Sequence, residues 1–414
     1  MYTELLKSLS LSDFVSSVQE YLSGFGLNSA FILIIVVFAM VGGIDLFFGD
    51  KYGYGSKFKE GLEIFGSIAI VFVGMVAMAP LLKMLIGPIL TNLFSMVGIS
   101  PAMFPTMFFG SDMGGYPLAQ QLADGDRSIT NYSGLIQGAI LGCTVTFTIP
   151  VGLTFVSGKK RKAFSLGILV GLLTMPLGML LGGLLMNVSD NPIGIQTILI
   201  NMIPMLIIAV FIILGLLFSL EAMAKGFEKF GAVVEKIAMV CFVISIFQYQ
   251  TGIKIPFFRK MVEYDTIGKS IPFENGLNVL VIVCITLTGA LPMVEFIRRH
   301  GQKLFRRIGQ KIDMDENGIA GVIAMSASCM PAFMLMEDMS ERSVYILAAF
   351  AVPASAAIGE FAGAIAAFDS TMLSPAIVSK LIAGVIAILL ACALAPKLLK
   401  DEKGVANEAD CVYK

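Results

Sequence analysis

Runs of about twenty apolar residues recur along this chain, and that length is what an α-helix needs to cross a hydrocarbon core. They fall near residues 28–48, 61–82, 131–155, 163–186, 194–218, 233–252, 276–297, 343–366 and 373–396, each set off by charged or polar breaks. Composition points the same way. Hydrophobic residues make up 57% of the 414 and charged ones only 14%, against about 25% charged in a soluble chain; mean hydropathy is +0.85. The expected fold class is an all-α polytopic membrane protein, with the lipid bilayer as its first partner.

The same composition excludes other classes. A net charge of −1 offers nucleic acid nothing to hold. The single histidine, His300, stands beside Arg298 and Arg299, and no Cys/His cluster has metal-ligand spacing. Cys143, Cys241, Cys284, Cys329 and Cys392 lie inside apolar runs, where a thiol behaves as a small hydrophobe. Neither a disulfide framework nor a cofactor is expected. Residues 1–27 lack the basic-then-apolar order of a cleaved signal and read as an N-terminal extension. Residues 28–396 read as one membrane transport domain and 397–414 as a cytoplasmic tail.

Two further stretches are long enough to cross but poorly made for lipid. Residues 101–122 read PAMFPTMFFGSDMGGYPLAQQL, and residues 317–336 read NGIAGVIAMSASCMPAFMLM. Prolines and small residues interrupt both, and irregular backbone at membrane depth survives only where protein or a water-filled cavity satisfies it. Lys51, Lys57 and Lys59, the run Lys159 to Lys162, Lys225 with Lys229, and the segment from Arg298 to Lys311 form four basic clusters. Short cytoplasmic loops carry such an excess. All four share one side if both broken stretches are re-entrant hairpins, giving nine full spans; the alternative is eleven full spans. The loop 253–274, basic but diluted by Glu263, Asp265 and Glu274, is the exception.

An internal repeat favours the hairpins. Pro80 matches Pro292, an offset of 292 − 80 = 212, and Pro117 matches Pro331, 331 − 117 = 214. Asp124 with Asp338 and Ser165 with Ser379 keep the offset of 214. The repeats would cover about 28–187 and 233–396, joined by a linking span at 194–218, and the hairpin topology turns them opposite ways. Inverted repeats with discontinuous segments are the plan of many secondary transporters, whose sites lie at the repeat interface.

A carboxylate inside the bilayer costs roughly 2.5–3.5 kcal/mol on insertion scales, so each needs a reason. Asp112 sits mid-segment in SDMGGYP, where Gly114 and Gly115 let backbone approach a ligand and Tyr116 adds a ring and a hydroxyl. Carboxylate plus ring suits a small ammonium group; the other reading is a helix cap. Glu360 is the second buried acid, and Lys380 lies at an equal distance from the last turn. The two form either a structural ion pair or a ligand-facing carboxylate with its neighbour. Asp45 is an interfacial residue or a ligand. Gln120, Gln121, Gln137 and Asn201 supply neutral hydrogen-bonding groups, Asn201 close to Pro204. Gly134, Gly138 and Gly142, with Gly178 and Gly182, read as close-packing positions.

Several motifs resemble the ethanolamine permeases of bacterial ethanolamine utilisation (EutH-type). They are SDMGGYPLAQQLADGD (111–126), YSGLIQGAILGCTVTFTIPVGL (132–153), GILVGLLTMPLGMLLGGLL (167–185) and INMIPMLIIAV (200–210), with weaker stretches at 289–297 and 374–385. The resemblance runs from about residue 28 to 396. It implies a permease for ethanolamine, a primary ammonium at neutral pH, in the bacterial cytoplasmic membrane. By motif, Asp112, Gly114, Gly115 and Tyr116 inherit the substrate role, and Asp45 matches an acidic position at the end of the family's first span. The family tends to carry Gly-Asp-His where this chain has Gly359-Glu360-Phe361, and Ser328-Cys329 replaces a polar pair. These departures keep the acid, remove polar partners, and leave open a proton-coupled permease for another small amine or polar metabolite.

A channel would show pore-lining rings, and an enzyme a nucleophile–base pair or metal ligands. Neither pattern is present, nor is a nucleotide-binding loop. The expected protein is therefore a transporter of a small amine and not an enzyme, with a homo-oligomer left open.

Overall fold

The computed structural model describes residues 11–398. Among them, eight helical stretches are long and apolar enough to cross a membrane: Leu27–Phe47, Ile68–Ser95, Arg127–Thr154, Gly158–Met186, Ile195–Phe218, Glu221–Thr251, Pro272–Gly301 and Glu360–Pro396. No strand forms among the described residues, only an isolated bridge between Asp265 and Ser270. The expected tail beyond residue 398 and the first ten residues lie outside the described residues.

Helix α1 (Leu11–Ser23) precedes the bundle and is exposed from Asp13 onward. In α2 (Leu27–Phe47), Leu33, Ile34, Val36, Val37, Met40 and Ile44 all face outward. An apolar surface so continuous belongs against lipid. Helix α3 (Tyr54–Ser95) has 42 residues and is about 63 Å long at 1.5 Å per residue, twice a hydrocarbon core. It continues well past the apolar run 61–82, and the backbone turns away only near Gly98, at φ +70°.

The stretch 101–122 is not one helix. Three 3₁₀ turns, Pro101–Met103, Pro105–Met107 and Ser111–Met113, lead into α4 (Gly115–Leu122). Next comes an irregular rod: α5 (Arg127–Asn131), the π-helical stretches Tyr132–Gly142 and Thr144–Thr148, and α6 (Ile149–Thr154). The rod satisfies the broken segment. Ser133 donates to the Ala102 carbonyl, Gln137 donates to the Met103 carbonyl at 2.7 Å and to Thr106 Oγ1 at 2.9 Å, and Ser111 donates to the Gly134 carbonyl. The glycine row on the rod makes this approach possible. A Cβ on Gly138 would lie 3.0 Å from Ser111 Oγ, and one on Gly142 would meet the Phe109 carbonyl.

Helices α7 (Gly158–Met186), α8 (Ile195–Phe218) and α9 (Leu220–Thr251) follow. Helix α10 (Pro272–Ile312) is a second over-long helix of 41 residues, with Pro292 inside it. The stretch 317–336 divides into α11 (Glu316–Ala327) and α12 (Cys329–Leu335) at an extended Ser328. Its two ends meet, since the Ser340 N–H donates to Asp315 Oδ2 at 2.6 Å and Asn317 donates to the Asp338 carbonyl at 3.2 Å.

The expected span 343–366 is interrupted as well. Helix α13 (Glu341–Ala354) stops, and α14 (Glu360–Asp369) starts only after Ala356 at φ +50°. The freed backbone pairs with the neighbouring break: the Ala356 N–H donates to the Met325 carbonyl at 2.7 Å and the Ile358 N–H to the Ser326 carbonyl at 2.9 Å. Two broken helices thus cross and complete each other's hydrogen bonds, as buried polar backbone requires. Helix α15 (Leu373–Leu398) is the last element among the described residues.

Two cores result. One gathers the π-helical rod with α7, α13 and α15 around the fully buried Tyr132, Phe164, Phe333 and Tyr345. The other joins α3, α9 and α10. Helices α3 and α10 run antiparallel, because Gly61 abuts Leu287 and Thr288 while Gly276 abuts Val73 and Val76. Helices α7 and α15 are close-packed where Gly178 meets Ala383 and Gly182 meets Ser379.

Candidate functional site

Between the two cores lies a cavity of about 400 Å³. One wall is a face of α3, where Glu60, Ile64, Ile68, Val71 and Phe72 recur at helical spacing. From Glu60 to Phe72 that face is about 18 Å long. The opposite wall comes from the breaks: Met113 from the broken stretch 101–122, Cys143 and Phe147 from the rod, Ser328 to Pro331 from the broken stretch 317–336, and Glu360 and Phe361 at the head of α14. Apart from Glu60 and the Ser328 hydroxyl, Glu360 supplies the polar side chain here. Ser328 donates its hydroxyl to Glu360 Oε1 at 2.7 Å, which orients the carboxylate at the junction of the two broken helices.

Lys380, only 1% exposed, packs behind this wall. Its ammonium lies 4.4 Å from the centre of the Phe361 ring and donates to the Ala139 carbonyl. Lys380 thus contacts the residue next to Glu360.

The other expected site residues divide. The side chain of Asp112 lies outside the described residues; its backbone belongs to the turn Ser111–Met113, and Met113 reaches the cavity. Gly114 takes φ +85°, and a Cβ there would lie 2.6 Å from Met75 Cβ. Gly115 lies against the Phe109 and Gly110 carbonyls, at 2.6 and 2.7 Å from an added Cβ. Tyr116 is buried, with its ring stacked on Phe368 at 4.3 Å and its hydroxyl on Asn131 Oδ1 at 3.2 Å. Gln120 is half-buried near Gly268, away from the cavity. Asn201 accepts from the Ser100 N–H at 2.9 Å and donates to the Thr197 carbonyl at 2.9 Å, bracing the entry to the broken stretch 101–122. Asp45 accepts from the N–H groups of Tyr52, Tyr54 and Gly55 at 3.1, 2.9 and 3.1 Å, closing the turn into α3.

At Phe72 the shaft-like cavity meets a stack of aromatic rings. Phe72 stacks on Phe368, and Phe368 on Tyr116. Behind the rings, Arg127 holds Asp369 through two hydrogen bonds of 2.8 and 3.0 Å, and Asn131 donates to the same carboxylate at 2.8 Å. Thr371 and Asn191 extend the network, and Asn28 at the start of α2 donates to the Thr371 carbonyl at 2.9 Å. Because α2 begins there and ends at Asp45, this network and the Glu60 end of the shaft occupy opposite ends of the bundle. Sequence reasoning missed Arg127 and Asp369, whose pairing joins residues 242 apart.

Lipid-facing helices around an internal cavity with a half-buried carboxylate on its wall define a polytopic membrane protein with a solute-sized internal site. The chain belongs to the family described as "Ethanolamine utilisation protein, EutH", whose family model matches residues 27–394. A Listeria monocytogenes protein named "Probable ethanolamine permease EutH" is 35% identical over 387 residues, 92% of this chain and 98% of that protein. An Escherichia coli protein of the same name is 33% identical over 411 residues, 93% of this chain and 99% of its own length. A Bacillus subtilis protein, "Uncharacterized protein YxeR", is 30% identical over 381 residues, 92% and 98% of the two chains. No solved structure matches the chain.

Proposed function

We propose that this protein is a permease, not an enzyme, and that it takes up ethanolamine through the shaft between its two cores. The observation that carries the reading is Glu360, set at the meeting point of two broken helices on the wall of a cavity otherwise lined mostly by rings and aliphatic groups. A carboxylate beside the Phe361 and Phe147 rings gives a primary ammonium both charge pairing and a ring face. The family assignment and the relatives' names support ethanolamine as that ammonium. The SDMGG turn belongs to the same site through Met113, with Asp112 one residue away.

Nine crossings, with the stretches 101–122 and 317–336 as re-entrant hairpins, fit the contacts best. The ninth crossing is the interrupted pair α13 and α14. Lys160 donates to the Glu337 carbonyl, and Arg299 to the Tyr52 carbonyl. Following the helices from these ties brings the four basic clusters to the Glu60 end, as expected of a cytoplasmic face. The over-long antiparallel pair α3 and α10, each followed by a broken hairpin, supports the two inverted repeats. In this arrangement the site opens to the cytoplasm, and the Phe72–Phe368–Tyr116 stack with Arg127–Asp369 closes the outer side. The membrane is the bacterial cytoplasmic membrane.

Uptake of labelled ethanolamine into proteoliposomes tests the assignment. Glu360→Gln and Asp112→Asn are each expected to lower kcat/KM at least about tenfold, the loss of one charge-assisted contact. Wild-type rates in both variants would sink the site; an unmodified protein that moves a different amine would sink the substrate alone.

A further inference from the structure

We propose that Lys380 is a tethered competitor of the substrate: its ammonium and the ammonium of the transported amine take turns at the Glu360–Phe361 wall. This rests on the permease reading above and deepens it.

A lysine side chain ends in a primary alkylammonium, the group that an amine such as ethanolamine presents. Lys380 brings that group, almost fully buried, to 4.4 Å from the ring of Phe361, which lines the cavity beside Glu360. It also donates to the Ala139 carbonyl on the π-helical rod. The carbonyl and the ring are two of the partners a site for a small ammonium is built from, and the carboxylate that would complete the set belongs to the next residue. A lysine serving only to neutralise a buried acid has no need of a ring on the cavity wall. A lysine that must yield to an incoming ammonium needs a second resting place, and the Ala139 carbonyl offers one.

The consequence is kinetic as well as thermodynamic. A binding face occupied by a tethered competitor most of the time has its apparent affinity lowered by the fraction left free. The competitor also speeds release, because its return displaces the bound amine. Lys380 is thus a positioning residue that sets affinity against turnover.

The test is labelled-ethanolamine uptake by proteoliposomes carrying the full-length protein, as the unmodified form, Lys380→Met and Lys380→Arg. Lys380→Met is expected to lower KM about tenfold, the effect of freeing a site nine-tenths occupied, and to lower the maximal rate. Lys380→Arg keeps the charge, but its forked guanidinium holds carboxylate more firmly, so KM is expected to rise. An unchanged or raised KM in a folded Lys380→Met variant overturns the proposal. If that variant does not fold, an unchanged KM in Lys380→Arg overturns it instead. No saturable uptake by the unmodified protein defeats the permease reading itself, a result distinct from either.

Discussion

Polar side chains in a chain this apolar have two possible employers, the ligand and the backbone, and Asp45 works for the second. Three N–H groups of the turn into α3 donate to its carboxylate, leaving little of it for a solute. Asp45→Ala is therefore expected to lower the melting temperature in detergent by several degrees while KM for ethanolamine stays unchanged. A raised KM at full stability would return Asp45 to the site. Asn201 and Gln137 are engaged in the same manner, on the Ser100 N–H and on the Met103 carbonyl. Tyr116 has its ring covered by Phe368, so it serves as part of the closed end in this conformation. Sequence type marked all of these residues as polar groups in need of a partner. It could not say which partner, because the partner's distance along the chain is 7 residues for Asp45 and Tyr52 but 101 for Asn201 and Ser100.

Broken helices are the elements that make the site. The sequence signalled two of them through prolines and glycines at 101–122 and 317–336, and each is interrupted as read. A third, between α13 and α14, carried a weaker signal, since residues 343–366 read as one apolar run with only Ser343, Pro353, Ser355 and Glu360 interrupting it. What interrupts it is the neighbour: the Met325 and Ser326 carbonyls accept from Ala356 and Ile358, and Gly359 lies against Ala327. A Cβ on Gly359 would lie 2.7 Å from the Ala327 carbonyl carbon. Gly359→Ala is expected to cost about 3 kcal/mol or more by overpacking, seen as loss of folded protein in size-exclusion profiles after mild heating. Survival at wild-type stability would show that the crossing can part. The stretch 317–336, whose two ends meet, has its own clasp at Asp315. Burial alone would raise its carboxyl, but donors from Ser340, Gly318 and Ser343 outweigh burial and hold it below the ordinary aspartate value. A lowered folded-state pKa contributes stability above the unfolded value and loses it as pH falls through the folded one. The melting-temperature gap between wild type and Asp315→Asn should therefore be widest near neutrality and shrink below about pH 4. A gap independent of pH would assign the clasp to the side chain's shape alone.

For the whole molecule, the proposed topology assigns the faces. With hairpins entering from opposite sides, as proposed, Asp124 would lie outside and Ser157 inside. Asp124→Cys is expected to react with an impermeant maleimide on intact cells, and Ser157→Cys only after permeabilisation. Labelling of both from one side would reject the re-entrant first hairpin.

By itself the sequence determined the class of fold, because burial in lipid is a local demand that each run of some twenty apolar residues declares for itself. It also declared the family and the two proline-glycine breaks, since these too are written in contiguous residues. Only the tertiary structure decided that Glu360 lines the shaft while Asp45 and Asn201 do not, that Lys380 packs on Phe361, and that Arg127 clasps Asp369. Those choices depend on which backbone groups and charges meet across distant segments, and a hydrogen bond between residues 242 apart leaves no periodicity to read.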